Sequence, residues 1–212
     1  MTERPRREEV LAEYNVSRET AARLDVLVAE LERWQAIKNL VGSATLPEIW
    51  TRHIADSLQL VAIEPKVLKW LDLGSGAGFP GLVVALALAE RRSPEVHLVE
   101  SNSRKCAFLR HAARLTSASA VIHEQRLETA VDGFIGKVEV VTARALAPLP
   151  QLLGWTQALL KTGTVGLFPK GREVQSELTE VAKSWRLETD LIPSRTDPDG
   201  RIVRVRSLQE RV

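Results

Sequence analysis

Val67-Leu68-Lys69-Trp70-Leu71-Asp72-Leu73-Gly74-Ser75-Gly76-Ala77-Gly78-Phe79-Pro80-Gly81 decides the reading of this chain. An apolar strand ends in a carboxylate and runs into a glycine-packed turn, after which Leu82 to Ala89 continue as an apolar helix. Glycine admits positive φ and lets a ligand approach the backbone, while N–H groups of the turn and helix N-terminus point at it. Pro80 sits where a first helical turn tolerates it. Four glycines within eight residues are costly unless something must come close to the main chain, so this turn is read as the grip on a nucleotide-like ligand.

Residues 76–81 also satisfy the dinucleotide pattern G-x-G-x-x-G. In the nicotinamide version the first glycine directly follows the strand; here that glycine is Gly74, and the third required glycine would fall on Phe79. The pattern that fits is acid-x-Gly-x-Gly-x-Gly, the form in which S-adenosylmethionine-dependent methyltransferases use a doubly wound sheet. Gly74, Ser75, Gly76, Gly78 and Phe79 are therefore expected at the cofactor. Asp72 discriminates: it suits the amino acid end of a zwitterion, directly or through water, and would repel a pyrophosphate. Glu100, 28 residues further on at the end of the next strand, is placed to accept from ribose hydroxyls, with residues 90–94 absorbing the extra length. After the third strand, Leu127 is a candidate to pack on adenine and a backbone N–H near Glu128 to read its edge; Arg126 and Glu128 fit equally well as surface charges.

The chain has 212 residues, 44% of them hydrophobic, enough for one α/β domain with a modest extension. The single cysteine, Cys106, excludes an internal disulfide framework, and no metal cluster is expected. The charged start shows no signal peptide, and the longest apolar run, residues 79–89, is about half a membrane span, so a soluble, cytoplasmic protein away from membranes is expected. A net charge of +2 does not by itself demand a nucleic-acid partner. Arginines nevertheless crowd both ends: Arg4, Arg6 and Arg7, then Arg195, Arg201, Arg204, Arg206 and Arg211.

Two helices are expected ahead of the glycine turn. The first, 18–39, carries Leu24, Leu27, Leu31, Trp34 and, beyond it, Val41 at near-heptad spacing, with Ser17 as N-cap; the second begins near Pro47 and buries Ile49, Trp50, Ile54, Leu58 and Val61. Glu64-Pro65 separates a helical extension, 1–64, from a main domain, 65–212. From Val67 strands alternate with helices, which predicts a doubly wound, mostly parallel Rossmann-like sheet whose last strand is antiparallel.

Arg144 follows the fourth strand, at the point of this fold that faces the reacting methyl group. An adenine-N6 methyltransferase would show Asp/Asn-Pro-Pro-Tyr there, and a cytosine-C5 enzyme a cysteine near the fourth or fifth strand; the chain has neither. Arg144 instead offers a planar fork for guanine O6 or N7, or for a phosphate, or else a local salt bridge. In Arg52-His53-Ile54-Ala55-Asp56-Ser57, helical spacing pairs Arg52 with Asp56 and His53 with Ser57, in a site or simply along a structural helix. Lys170, beside Gly171 and Arg172, is placed to meet RNA phosphate at the cleft rim. Cys106, His97, His111 and His123 are read as structural.

Taken together, the Asp72 to Gly81 turn, the Arg52 to Ser57 motif, Glu100-Ser101 with Lys105 and Phe108-Leu109, Arg144-Ala145 and Lys170-Gly171 resemble the RsmG family, also called GidB, over about residues 15–206. The resemblance implies a bacterial 16S ribosomal RNA guanine-N7 methyltransferase acting in the small-subunit decoding region, using S-adenosylmethionine and releasing S-adenosylhomocysteine. It also implies cofactor positions at Gly74, Phe79, Leu127, Glu128 and Arg144, with Glu100 at the ribose. Arg144, His53, Asp56 and Lys170 would then act by positioning and electrostatics, since guanine N7 has an exposed lone pair and needs no general base. Arg52, Lys170, Arg172 and Arg201 would contact RNA. A monomer acting on 16S RNA or a small-subunit particle is expected. Three alternatives stay open: a small-molecule methyltransferase, an RNA-binding module that keeps the cofactor as a structural ligand, and, remotely, a nicotinamide oxidoreductase.

Overall fold

The computed structural model describes residues 3–35, 40 and 42–211. Its order is α1 (Glu3–Glu13), α2 (Arg18–Gln35), a 3-10 turn (Ser43–Glu48), a π-helical turn (Trp50–Ala55), α3 (Asp56–Ile63), β1 (Lys69–Leu73), α4 (Gly81–Leu88) and β2 (Glu95–Glu100). There follow α5 (Ser103–Thr116), β3 (Ala120–Glu124), α6 (Leu127–Ala130), a 3-10 turn (Val131–Phe134) and β4 (Val140–Ala143). The chain closes with α7 (Leu149–Lys161), β5 (Val165–Lys170), α8 (Val174–Ser184), β6 (Trp185–Pro193) and β7 (Arg201–Glu210). The expected helix 18–39 holds through Gln35; its last residues and Val41 lie outside the described residues.

One seven-stranded sheet has the order β3-β2-β1-β4-β5-β7-β6. β1 to β5 are parallel, whereas β7 runs antiparallel between β5 and β6. Parallel strands covered on both faces must be apolar throughout. Trp70 to Leu73 and Val140 to Ala143 are accordingly all buried. Strand order reverses between β1 and β4, leaving a crevice at their carboxyl ends, where this fold class places ligands. The β5–β7 register sets Lys170 opposite Arg201 at the same rim.

Two apolar layers flank the sheet. On one face Leu24, Leu27, Leu31, Ile49, Ile54 and Leu60 join residues of α4 and α5 in a single cluster. On the other, residues of α7, Phe134 and Phe168 form the second. Leu24, Leu27 and Leu31 are at most 1% exposed, each stabilising the docked helix by about 1.5–3 kcal/mol. Ser17 caps α2 as expected, its Oγ accepting from Thr20 N–H at 3.0 Å. The segment expected as one helix from Pro47 is a 3-10 turn, a π turn and α3 in succession, yet it buries all five expected residues.

Candidate active site

Gly74 and Ser75 N–H both donate to Val99 O, at 2.9 and 3.1 Å, which ties the glycine turn to β2. Gly74, Gly76 and Gly78 have φ of 64°, 56° and 90°. A Cβ on Gly74 would meet Leu146 at 2.6 Å, but one on Gly76 would find only Gly74 O at 3.8 Å. Gly76 thus leaves a bare stretch of backbone facing a cavity of about 980 Å³, also lined by Gly74, Ser75, Phe79, Lys105, Arg144 and Arg201. A neighbouring cavity of about 600 Å³ is lined by Ser101 and residues 124–128, where the adenine side was expected; there Leu127 is half-buried and Glu128 exposed.

The acidic anchors stand beneath these cavities. Asp72, 2% exposed, accepts from Gly81 N–H at 3.1 Å and from the Thr142 hydroxyl at 2.8 Å. It does not line the cavity, so direct contact with a ligand gives way to a charge buried under the turn. Burial pushes its carboxyl up to about 6, against the hydrogen bonds from Thr142, Ser75 and Gly81. Glu100 accepts from Gly76 N–H at 2.9 Å and Asn102 N–H at 2.8 Å. Its two oxygens offer about four acceptor directions, so capacity for hydroxyls remains. A bare glycine backbone, a carboxylate with spare acceptors and a second cavity beside it fit an adenosyl cofactor carrying an amino acid.

The cationic side differs from the sequence expectation. Arg52 does not pair with Asp56; its Nη1 lies 4.0 Å from Asp197. Ser57 meets His53 through the backbone, its hydroxyl donating to His53 O at 2.6 Å, while the His53 ring faces Arg144. The expectation assumed α-helical spacing, whereas the π turn alters which residues lie above one another, and tertiary partners take the side chains. Asp56 instead binds Arg144, Oδ2 to Nη1 at 3.1 Å. Arg144 also donates to Arg52 O and to His53 Nδ1, each at 2.8 Å, and stands over the Phe79 ring at 5.8 Å. Phe79 packs on His53 with ring centroids 4.8 Å apart. Burial, then the charges of Arg144 and Arg52, depress His53 to about 4, so it is neutral near pH 7.

Lys170 is not a free rim cation: Nζ binds Glu177 at 2.7 Å and Ala147 O at 3.0 Å. Arg172 pairs with Asp199 at 3.1 Å. Arg201 donates to the Pro198 and Gly200 carbonyls and has no carboxylate partner among the described residues. The terminal arginines are largely spent on the fold, Arg7 on Asp25, Arg195 on Glu13, and Arg204 and Arg206 on Asp190. Cys106 is buried, His111 binds Glu30 at 2.8 Å, and His97 and His123 meet at 3.1 Å. Sequence reasoning missed Gln59 and Thr196 beside Asp56; a lone glutamine in the apolar run 58–61 was the available signal.

The family model described as rRNA small subunit methyltransferase G matches residues 20–195. The chain belongs to this family. A protein of Methylobacterium nodulans named Ribosomal RNA small subunit methyltransferase G is 64% identical over 203 residues, 95% of each chain. One of the same name from Bradyrhizobium diazoefficiens is 52% identical over 196 residues, 92% of this chain and 75% of its own. In three dimensions the fold is that of the SAH-bound Podospora anserina methyltransferase, with TM-score 0.63 at 13% identity over 86% of this chain and 88% of that one. An O-methyltransferase from Bacillus cereus in complex with SAH gives 0.61 at 14% identity over 85% and 90%. These likenesses carry the fold.

Proposed function

We propose that this RsmG-family protein transfers a methyl group from S-adenosylmethionine to N7 of a guanosine in 16S ribosomal RNA. The observation that carries the reading, beside family membership, is that one cavity is lined both by the bare glycine turn and by Arg144. Gly74, Ser75, Gly76 and Phe79 would hold the methionine part, Glu100 the ribose, and Leu127 with the backbone at Glu128 the adenine. When bound, the cofactor supplies a sulfonium methyl, which N7 takes with its in-plane lone pair, leaving S-adenosylhomocysteine.

N7 of the neutral base carries no proton, so the chain needs to position and stabilise rather than to abstract. His53 suits that role: it is neutral and its Nδ1 is already an acceptor for Arg144. Arg144 addresses guanine O6 or a flanking phosphate and must avoid N7, where positive charge develops. Asp56 and buried Asp72 supply negative charge on the same side of the cleft. Arg52 and Arg201 are the rim cations for RNA, and Lys105 joins them in the cavity wall. We place the enzyme in the cytoplasm as a monomer; among the described residues no helix is long and apolar enough to cross a membrane.

The test is methyl transfer to small-subunit particles lacking the modification, with N7-methylguanosine located by strand cleavage at the modified base. Arg144→Ala should lower turnover about 100-fold, the loss of one preorganised charged donor. Full turnover in that variant, or cleavage nowhere in 16S RNA with wild-type enzyme, sinks the reading.

A further inference from the structure

Two neutral side chains complete the surroundings of Asp56. Its Oδ1 accepts from Gln59 Nε2 at 2.7 Å and from the Thr196 hydroxyl at 2.8 Å, while Oδ2 is left to Arg144. Gln59 is only 2% exposed on a helix whose neighbouring residues are apolar, so its amide requires polar partners there. Its side-chain partners belong to one network: Asp56, and the segment 194–196 between β6 and β7. Gln59 Oε1 accepts from Arg195 N–H at 3.0 Å, and Nε2 reaches Ser194 and Thr196 hydroxyls at 3.5 Å. Thr196 is itself fixed, its N–H donating to Ser194 Oγ at 3.2 Å and its hydroxyl 3.1 Å from that oxygen.

We propose that Gln59 and Thr196 are positioning residues for methyl transfer: by fixing the first oxygen of Asp56 they aim its second oxygen at Arg144 and so hold the guanidinium against His53 and over Phe79. A salt bridge alone leaves a carboxylate free to rotate about its last torsion, and Arg144 would swing with it. Three donors converging on two oxygens, Gln59 from α3, Thr196 from the β6–β7 loop and Arg144 from just past β4, remove that freedom. The β6–β7 loop, whose Ser194, Thr196 and Asp197 line the same cavity as Arg144, is thereby tied to the orientation of the guanidinium. This rests on the reading of Arg144 as the residue facing the acceptor base.

The experiment compares Thr196→Val, Thr196→Ser, Gln59→Leu and Arg144→Lys in full-length protein, on the same small-subunit particles. Thr196 is half-exposed and valine is isosteric, so Thr196→Val should fold like wild type and decides the matter if Gln59→Leu does not fold. In Thr196→Val, kcat should fall about tenfold with KM for S-adenosylmethionine within about twofold, since a lost hydrogen bond to a charged group is worth about one decade. The His53 Nδ1 nitrogen resonance should move as its donor loosens, and Thr196→Ser should restore both. A merely structural threonine would change melting temperature while leaving the His53 resonance and kcat in place, which overturns the proposal. If Arg144→Lys also keeps full turnover, the functional reading fails; if Arg144→Lys is impaired and Thr196→Val is not, only the positioning role fails.

Discussion

Arg144 Nη2 and His53 Nδ1 lie 2.8 Å apart, although 91 positions separate the two residues in the chain. A guanidinium has no acceptor, so Nδ1 must accept and the ring proton must sit on Nε2. Burial and the flanking arginines hold the ring near a pKa of about 4, below its ordinary 6.5. With the folded value depressed, this group's contribution to stability is present above pH 6.5 and is lost as pH falls through 4. We expect nitrogen-15 spectra to show the neutral Nε2–H tautomer of His53 down to about pH 5. A ring that is already cationic at pH 6 would refute the arrangement.

Asp72 titrates in the opposite sense. Its folded carboxyl, pushed up to about 6 chiefly by burial, lies above the ordinary 3.8, so its contribution is full below pH 4 and is lost as pH rises through 6. The Asp72→Asn variant lacks this dependence and keeps an acceptor for Gly81 N–H. Between pH 4 and 7 its unfolding free energy should gain ~3 kcal/mol on wild type. Its affinity for the cationic cofactor should drop. Urea unfolding curves that stay parallel across that range would contradict the burial argument.

Gly76 and Gly81 should separate ligand binding from folding. Alanine at Gly76, φ 56°, has space but sits in the left-handed region, at a cost of about 1 kcal/mol. Its methyl would occupy the bare backbone of the cavity, so S-adenosylmethionine affinity should fall at least about tenfold, or 1.4 kcal/mol. At Gly81 a Cβ would stand 2.7 Å from both Asp72 Oδ2 and Leu98 Cγ. There Gly81→Ala should destabilise by about 1–3 kcal/mol. Calorimetric titration and thermal melts read the two effects, and equal binding by wild type and Gly76→Ala would remove Gly76 from the cofactor site.

Lys170 and Arg201 face each other across β5 and β7 but should behave differently. Lys170→Met breaks a pair whose side chains are 11% and 18% exposed, which should cost about 2 kcal/mol, below the range for a fully buried pair. Its effect on the salt dependence of RNA binding should be small. Arg201→Ala should leave stability nearly unchanged and reduce the slope of log affinity against log salt by about 1, one phosphate contact. The reverse pattern would return Lys170 to the RNA-binding set.

Local features of the chain were legible wherever the physics is local. The glycine turn, the Ser17 cap and the alternation of apolar runs depend on neighbours a few residues away, and the structure has each of them where expected. The four-residue α6 is too short to show a period, whereas α5 is capped by Asn102, which accepts from Arg104 and Lys105 N–H. The pair drawn between Arg52 and Asp56 failed because partners 145 and 88 positions away, Asp197 and Arg144, outcompete the neighbour on the turn. A polar side chain takes the donor or acceptor that burial leaves it.

By itself the sequence determined a doubly wound sheet with a ligand-binding glycine turn, because backbone freedom and hydrophobic periodicity are properties of short segments. Only the tertiary structure decided which charges are available. It neutralised Lys170 and Arg172 with Glu177 and Asp199, sank Asp72 beneath the turn, and assembled Arg144, His53, Asp56, Gln59 and Thr196 from the π turn, α3, β4's end and the β6–β7 loop. Charge pairing depends on distances between elements remote in the chain, and those distances exist only once the two apolar layers have closed on the sheet.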